Sequence, residues 1–252
     1  MESRLIAHRG EPAHWPENSL KGFRAVLAAG ACYVETDVQI TADGVAVLSH
    51  DDSLLKMTGH DLAITKTTLA DILELPSGCP ERYGNRFADE RIATLGELAA
   101  LLAQWPKARA FIELKSDGIL AFGVRPAVDL MLDASAGASA QCIPISFEYP
   151  ALQYLRTRTE LSIGWVLPAW NRANHRLADA LAPEYLFVNR RHLPRPSEPL
   201  WSGPWRWVAY TANQTTDIRR LLTRGFDMIE TDDIRRVVRE LQANPHRGGS
   251  HD

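Results

Sequence analysis

Residues 32–50 read CYVETDVQITADGVAVLSH, and more of the architecture can be read from this stretch than from any other. YVETDVQI has the residue types of a strand, and Glu35 and Asp37, two positions apart, point to the same face of it. Asp43-Gly44 is a tight-turn dipeptide, and VAVLSH after it supplies the returning strand of a hairpin. A two-residue turn centred on Asp43 and Gly44 would set Asp37 directly across from His50.

Upstream, RLIAH reads as a strand, and PENS leads into LKGFRAVLAAG. There Leu20, Phe23, Val26 and Leu27 recur at helical spacing, Asn18 or Ser19 supplies an N-cap, and Gly30 ends the helix. Downstream, residues 51–91 are irregular, with TTLADILEL as one short helix and Gly, Pro and Asn scattered through PSGCPERYGNRF. So long a loop-rich stretch in a compact fold points to function, and it reads as a cap insertion over the site. Alternation then resumes. RAFIELK, CIPISF, LSIGWVL, YLFVN, WRWVAY and FDMIET join RLIAH and CYVETDV to make eight strands, most of them separated by segments of helical period. The expectation is an α/β fold, a (β/α)8 TIM barrel forming a single domain over residues 1–241, with the cap at 51–91 and a flexible tail at 242–252.

At 252 residues and 45% hydrophobic content the chain can bury one large core. Its 28 Lys plus Arg against 31 Asp plus Glu leave no broad basic surface, which argues against a nucleic-acid partner. Cys32, Cys79 and Cys142 read as reduced, structural thiols. The short apolar run before His8 is no signal-peptide core and no later stretch suits a membrane span, so a cytoplasmic protein without stable membrane insertion is expected. Nothing in the sequence indicates an oligomeric state.

The chemistry-bearing residues fall at strand ends: His8 and Arg9 after LIA, Glu35 and Asp37 in VETDV, His50 after VAVLS, and Glu113 with Lys115 in FIELK. The C-terminal ends of the strands are where TIM-barrel sites lie. Three carboxylates aimed into one mouth repel one another unless a cation neutralises them, and a hard divalent ion, Mg²⁺ or Ca²⁺, suits oxygen ligands. Trp15, in the loop after His8, is a candidate for substrate contact. Glu17 and Asn18 read equally well as helix-capping groups and as supports for the site, and LWSGPWRW as a sticky loop or partner patch.

HRGEPAHWPENS, VETDVQITADGVAVLSHDDSL and FIELK, in this order and spacing, resemble the signature segments of glycerophosphodiester phosphodiesterases. ISFEYPALQYLR and VAYTANQTTDIRRLLTRGFDMIETDDI resemble the later strands of that family, so the resemblance covers most of the chain. It implies His8 and His50 as general acid and base, Glu35, Asp37 and Glu113 as ligands of one divalent metal, and Arg9 and Lys115 as phosphate-binding cations. The implied reaction is hydrolysis of a small-molecule glycerophosphodiester to glycerol 3-phosphate and an alcohol, by water attack or through a cyclic phosphate. Ser19, Tyr210 and Glu230 depart from the pattern, and Glu230 at a strand end would favour a cationic alcohol. The alternatives are lysophospholipase D-type cleavage on the same site and a non-catalytic barrel that binds phosphate esters. The mixed composition of residues 61–87 favours the water-soluble substrate, and the presence of both histidines argues against a non-catalytic barrel.

Overall fold

A computed structural model of the chain describes residues 4–195 and 198–243. Its strands are β1 (Leu5–His8), β2 (Tyr33–Ile40), β3 (Ala46–Leu48), β4 (Arg109–Leu114), β5 (Cys142–Ser146), β6 (Gly164–Val166), β7 (Tyr185–Asn189), β8 (Arg206–Tyr210) and β9 (Met228–Thr231). All except β3 are parallel, and pairing runs β1-β2-β4-β5-β6-β7-β8-β9 and back to β1, which closes an eight-stranded barrel. All eight strands expected from the sequence are present. The closed (β/α)8 TIM barrel is therefore the fold.

Helices α1 (Leu20–Ala28), α2 (Leu55–Thr58), α3 (Leu69–Leu73), α4 (Pro80–Tyr83) and α5 (Leu95–Leu102) precede β4. They are followed by α6 (Ser116–Phe122), α7 (Val124–Ser135), α8 (Tyr149–Arg158), α9 (Arg172–Leu181), α10 (Thr215–Thr223) and α11 (Ile234–Ala243). Ser19 is the N-cap of α1, its side chain accepting from the Gly22 amide. Helix α6, in a stretch where the sequence pattern placed no element, follows β4 directly with Lys115 as its N-cap residue. Helix α11 runs to Ala243, two residues into the stretch expected to be a tail, and residues 244–252 of that stretch lie outside the described residues.

Side-chain alternation along the strands sorts the apolar residues into two shells. Ile6, Phe111, Ile143, Val208 and Met228 point into the lumen, while Leu5, Ala7, Val34, Ile112 and Leu186 face the surrounding helices. Each fully buried aliphatic side chain contributes roughly 1.5–3 kcal/mol. Phe111 anchors the lumen, stacked on Tyr33 at 5.8 Å and met edge-on by Tyr185 and Phe187 at 4.9 and 5.1 Å. This apolar plug closes the barrel below, so polar residues at the upper strand ends open only towards the C-terminal face.

The β2–β3 hairpin departs from the two-residue turn expected. Ala42, Asp43 and Gly44 form a three-residue loop between Thr41 and Val45, with Gly44 at φ 81° and the Thr41 amide donating to the Val45 carbonyl at 3.0 Å. Val38 therefore pairs with Leu48, and the Ser49 amide donates to the Asp37 carbonyl at 3.1 Å. Ser49, not His50, stands across from Asp37, and His50 lies one residue further along the returning strand.

Candidate active site

Directly after β1, Arg9, Gly10 and Glu11 all take positive φ (48°, 71° and 68°). A left-handed non-glycine residue costs on the order of 1–3 kcal/mol, which the surroundings must offset. They do so through Arg9 N–H to Glu35 O (3.0 Å), Glu11 N–H to His8 O (3.0 Å) and Asn18 N–H to Arg9 O (2.9 Å). The close approach of this loop to α1 also needs glycine on both sides, Gly10 in the loop and Gly22 in the helix. A Cβ on Gly22 would collide with the Gly10 carbonyl, and one on Gly10 would crowd the Phe23 amide. This tight turn over the start of α1 brings Arg9 back across the mouth, where its Nε lies 2.8 Å from Asp37 Oδ2 as an ion pair rather than an aligned hydrogen bond.

His8, Arg9, Glu35, His50, Glu113 and Lys115 line one cavity of about 180 Å³ at the C-terminal end of the barrel, together with Asn189, Tyr210, Glu230 and the apolar Ile145, Phe147, Val166 and Phe187. A larger groove of about 560 Å³ between α1 and α11 contains none of these residues. The chemistry is concentrated in the smaller one.

Glu35, Asp37 and Glu113 are buried, and each offers a carboxylate oxygen within 4.8 Å of the others. Burial, then the charges of Asp37 and Glu230, pushes the Glu35 carboxyl well above the usual range. Burial, with the Asp37 charge, also raises Glu113 against the pull of Lys115. Asp37 differs: burial pushes it up, but Arg9 and Lys115, then His50 and His8, outweigh that and hold it at about 2. Lys115 Nζ sits 2.8 Å from Glu113 Oε1 and 3.4 Å from Asp37 Oδ1. With Glu230, four buried carboxylates thus face two permanent cations, a surplus that one divalent ion would neutralise with hard oxygen ligands. A second acidic group, Glu11 with His14 and Asp233, is already engaged, since Arg235 Nε lies 2.6 Å from Glu11 Oε2.

Each histidine is held from its far side. His8 Nδ1 lies 2.6 Å from Asp232 Oδ1, and His8 Nε2 is 3.8 Å from Glu35 Oε2. His50 Nδ1 lies 2.7 Å from Asp51 Oδ1, and Gln39 Nε2 donates to the His50 carbonyl at 3.3 Å. A carboxylate on Nδ1 orients the ring and leaves Nε2 available to give or take a proton.

Asp232 was not singled out from the sequence, although β9 must neighbour β1 in a closed barrel and the Ala7–Thr231 pairing carries Asp232 up to His8. Asn213 fixes it, accepting from the Asp232 amide and donating to Asp232 Oδ2, both at 2.8 Å. Asn18 and Glu17 prove to be supports of the site. Asn18 Nδ2 donates to Asp37 Oδ2 at 3.1 Å, and Glu17 bridges Arg9 (3.6 Å) and Lys56 (2.5 Å). Trp15 does not line the cavity. Its ring packs on Phe87 at 5.8 Å, and its carbonyl accepts from Tyr83 Oη at 2.7 Å.

A family model described as the glycerophosphoryl diester phosphodiesterase family matches residues 8–236. The glycerophosphodiester phosphodiesterase of Caldanaerobacter subterraneus subsp. tengcongensis is 28% identical over 94% of this chain and 97% of its own. Among solved structures, an Oleispira antarctica phosphodiesterase in complex with the product sn-glycerol-3-phosphate superposes with a TM-score of 0.83 at 24% identity, covering 95% of this chain and 96% of that one. A glycerophosphodiester phosphodiesterase from Parabacteroides distasonis superposes with a TM-score of 0.77 at 21% identity, covering 96% and 98%. At those identities the structures attest the barrel, and the match from His8 to Arg236 attests the lineage: this chain belongs to the glycerophosphoryl diester phosphodiesterase family.

Proposed function

We propose that the protein hydrolyses glycerophosphodiesters to glycerol 3-phosphate and an alcohol, using one divalent cation, Mg²⁺ or Ca²⁺, held by Glu35, Asp37 and Glu113. The observation that carries this reading is the convergence of two histidines, two cations, Glu35 and Glu113 on a single cavity, with the Asp37 carboxylate gathered against the two glutamates. Phosphodiester cleavage needs an oxygen nucleophile stripped of a proton, a proton for the leaving alkoxide, and positive charge on the phosphoryl oxygens. His8 and His50, each backed by a carboxylate on Nδ1, present Nε2 for the two proton transfers. Arg9 and Lys115 bear on the phosphate. A divalent ion held by Glu35, Asp37 and Glu113 would supply further positive charge for the phosphoryl oxygens. Residues 51–91 act as a cap whose contacts with the loop after β1 keep Arg9 in place. The product named for the Oleispira antarctica relative, sn-glycerol-3-phosphate, agrees with this substrate class. Among the described residues no helix is long and apolar enough to cross a membrane, and a small polar diester requires none.

The test is release of glycerol 3-phosphate from glycerophosphoglycerol and glycerophosphocholine, with chelator and with Mg²⁺ or Ca²⁺ restored. His8→Ala should lower kcat/KM by about 10²–10⁴-fold, and chelation should abolish turnover reversibly. Turnover indifferent to chelator would remove the metal from the proposal. Faster cleavage of a lysophospholipid than of either diester would move the reading to lysophospholipase D chemistry.

A further inference from the structure

Around the mouth, nearly every charged side chain has a partner. Arg9 pairs with Asp37 and Glu17, Lys115 with Glu113 and Asp37, His8 with Asp232, His50 with Asp51, and Lys56 with Glu17. Glu230 differs. It is 3% exposed, its side chain lines the cavity, and it has no ion pair or side-chain hydrogen bond among the described residues. It is also not one of the three carboxylates gathered within 4.8 Å of one another.

Strand geometry sets what lies beside it. On β9 Glu230 pairs with Ile6 of β1, and it stands one step beyond the Ala209–Ile229 pair, level with Tyr210 at the end of β8. From β8 round to β5, which faces β9 across the barrel, the rest of the lining is aromatic and aliphatic: Tyr210, Phe187, Val166, Ile145 and Phe147. A carboxylate set among aromatic rings is the chemistry that holds an alkylammonium, and a quaternary one above all, because the cation needs no hydrogen-bond acceptors and gains from ring faces.

Charge balance gives the same answer. On the proposed function, a divalent ion, Arg9 and Lys115 supply four positive charges, while Glu35, Asp37, Glu113 and the phosphodiester supply four negative ones. Burial, then the charges of Glu113 and Asp37, pushes the Glu230 carboxyl well above the usual range, so it is the one acid left without a cation and its ionised form is costly there. A substrate with one positive charge on its alcohol supplies that cation.

We propose that Glu230, with Tyr210 beside it and Phe147 across the cavity, is the subsite for a cationic alcohol arm, so that the enzyme prefers zwitterionic glycerophosphodiesters such as the choline ester. This rests on the proposed function for the cleavage step, whereas binding of the cation at Glu230 can be read without turnover.

The test compares kcat/KM for glycerophosphocholine and glycerophosphoglycerol in the Mg²⁺-loaded protein and in E230Q and E230I. The wild type should favour the choline ester by about tenfold or more, and both substitutions should bring the ratio close to one. Choline chloride should bind the wild type, by calorimetry, at least about tenfold more tightly than E230Q. An unchanged substrate ratio in folded E230Q and E230I overturns the subsite. So does equal choline binding by wild type and E230Q. An unchanged ratio with the Mg²⁺ requirement raised about tenfold would make Glu230 a metal ligand instead. If the wild type cleaves neither ester, the proposed function fails, and the choline titration alone decides the subsite.

Discussion

Between β3 and α5 the chain forms three short α-helices over an apolar cluster of its own, with Leu54, Met57, Ile64, Ile72 and Ile92 at its centre. Between β7 and β8 the described residues form no α-helix, and the space beside the barrel is filled by tryptophans instead. Trp170 and Trp207 both pack on Trp201, at 4.2 and 5.9 Å, His175 stacks on Trp201 at 4.5 Å, and Trp207 Nε1 donates to the Trp201 carbonyl at 3.1 Å. The first segment reaches the loop that carries Arg9 through directional polar contacts: Lys56 to Glu17, and Tyr83 Oη, 2.7 Å from both the Pro12 and Trp15 carbonyls. The tryptophan cluster joins the outer core and touches none of the proposed catalytic groups. A segment held by ring contact adds stability, whereas one held by aligned polar contacts can set the position of a catalytic side chain.

The sharpest way to break that comparison is Trp207→Ala. Trp207 is 5% exposed, and its removal should cost about 3–5 kcal/mol by urea unfolding while kcat/KM of the folded protein stays within about twofold. An activity loss with stability intact would mean that the tryptophans reach the site. Next in size is Glu17→Gln, which weakens the link between Lys56 and Arg9. It should lower kcat/KM by about tenfold, mostly in KM as phosphate binding weakens, with a smaller change in melting temperature. If Glu17→Gln acts on stability alone, Glu17 is a structural ion-pair partner and the first segment does not tune the site. Smallest is Tyr83→Phe, which removes one hydroxyl from two carbonyls. Its expected cost is about 0.5–1.5 kcal/mol in stability, with kcat/KM down a few-fold.

Much of the mouth could be read in advance because strand geometry is local. Glu35 and Asp37 two residues apart on a strand, and Glu113 and Lys115 on another, share a face wherever the strands end up. Both short stretches are dense in charge and flanked by apolar residues, which is legible without a structure. Residues contributed from across the ring were harder. Asp232 lies 224 positions from His8, and only closure of β9 on β1 joins them. Glu17 and Asn18 carried a local signal with two meanings, helix cap or site support, and the choice depended on Arg9 turning back through three left-handed residues.

The eight strands and the upward-facing His8, Glu35, Asp37, His50, Glu113 and Lys115 follow from the local chain, because hydrophobic period and residue spacing along one strand are local properties. The hairpin register that set Ser49 rather than His50 across from Asp37 came from the tertiary structure, since a single extra loop residue shifts every partner beyond it. The tertiary structure also places Trp15 on Phe87 outside the cavity and leaves Glu230, beside Tyr210, without an ion-pair partner among the described residues. Those outcomes depend on which strands meet when the barrel closes and on which charges are then left without a partner, and no short stretch of the chain contains that information.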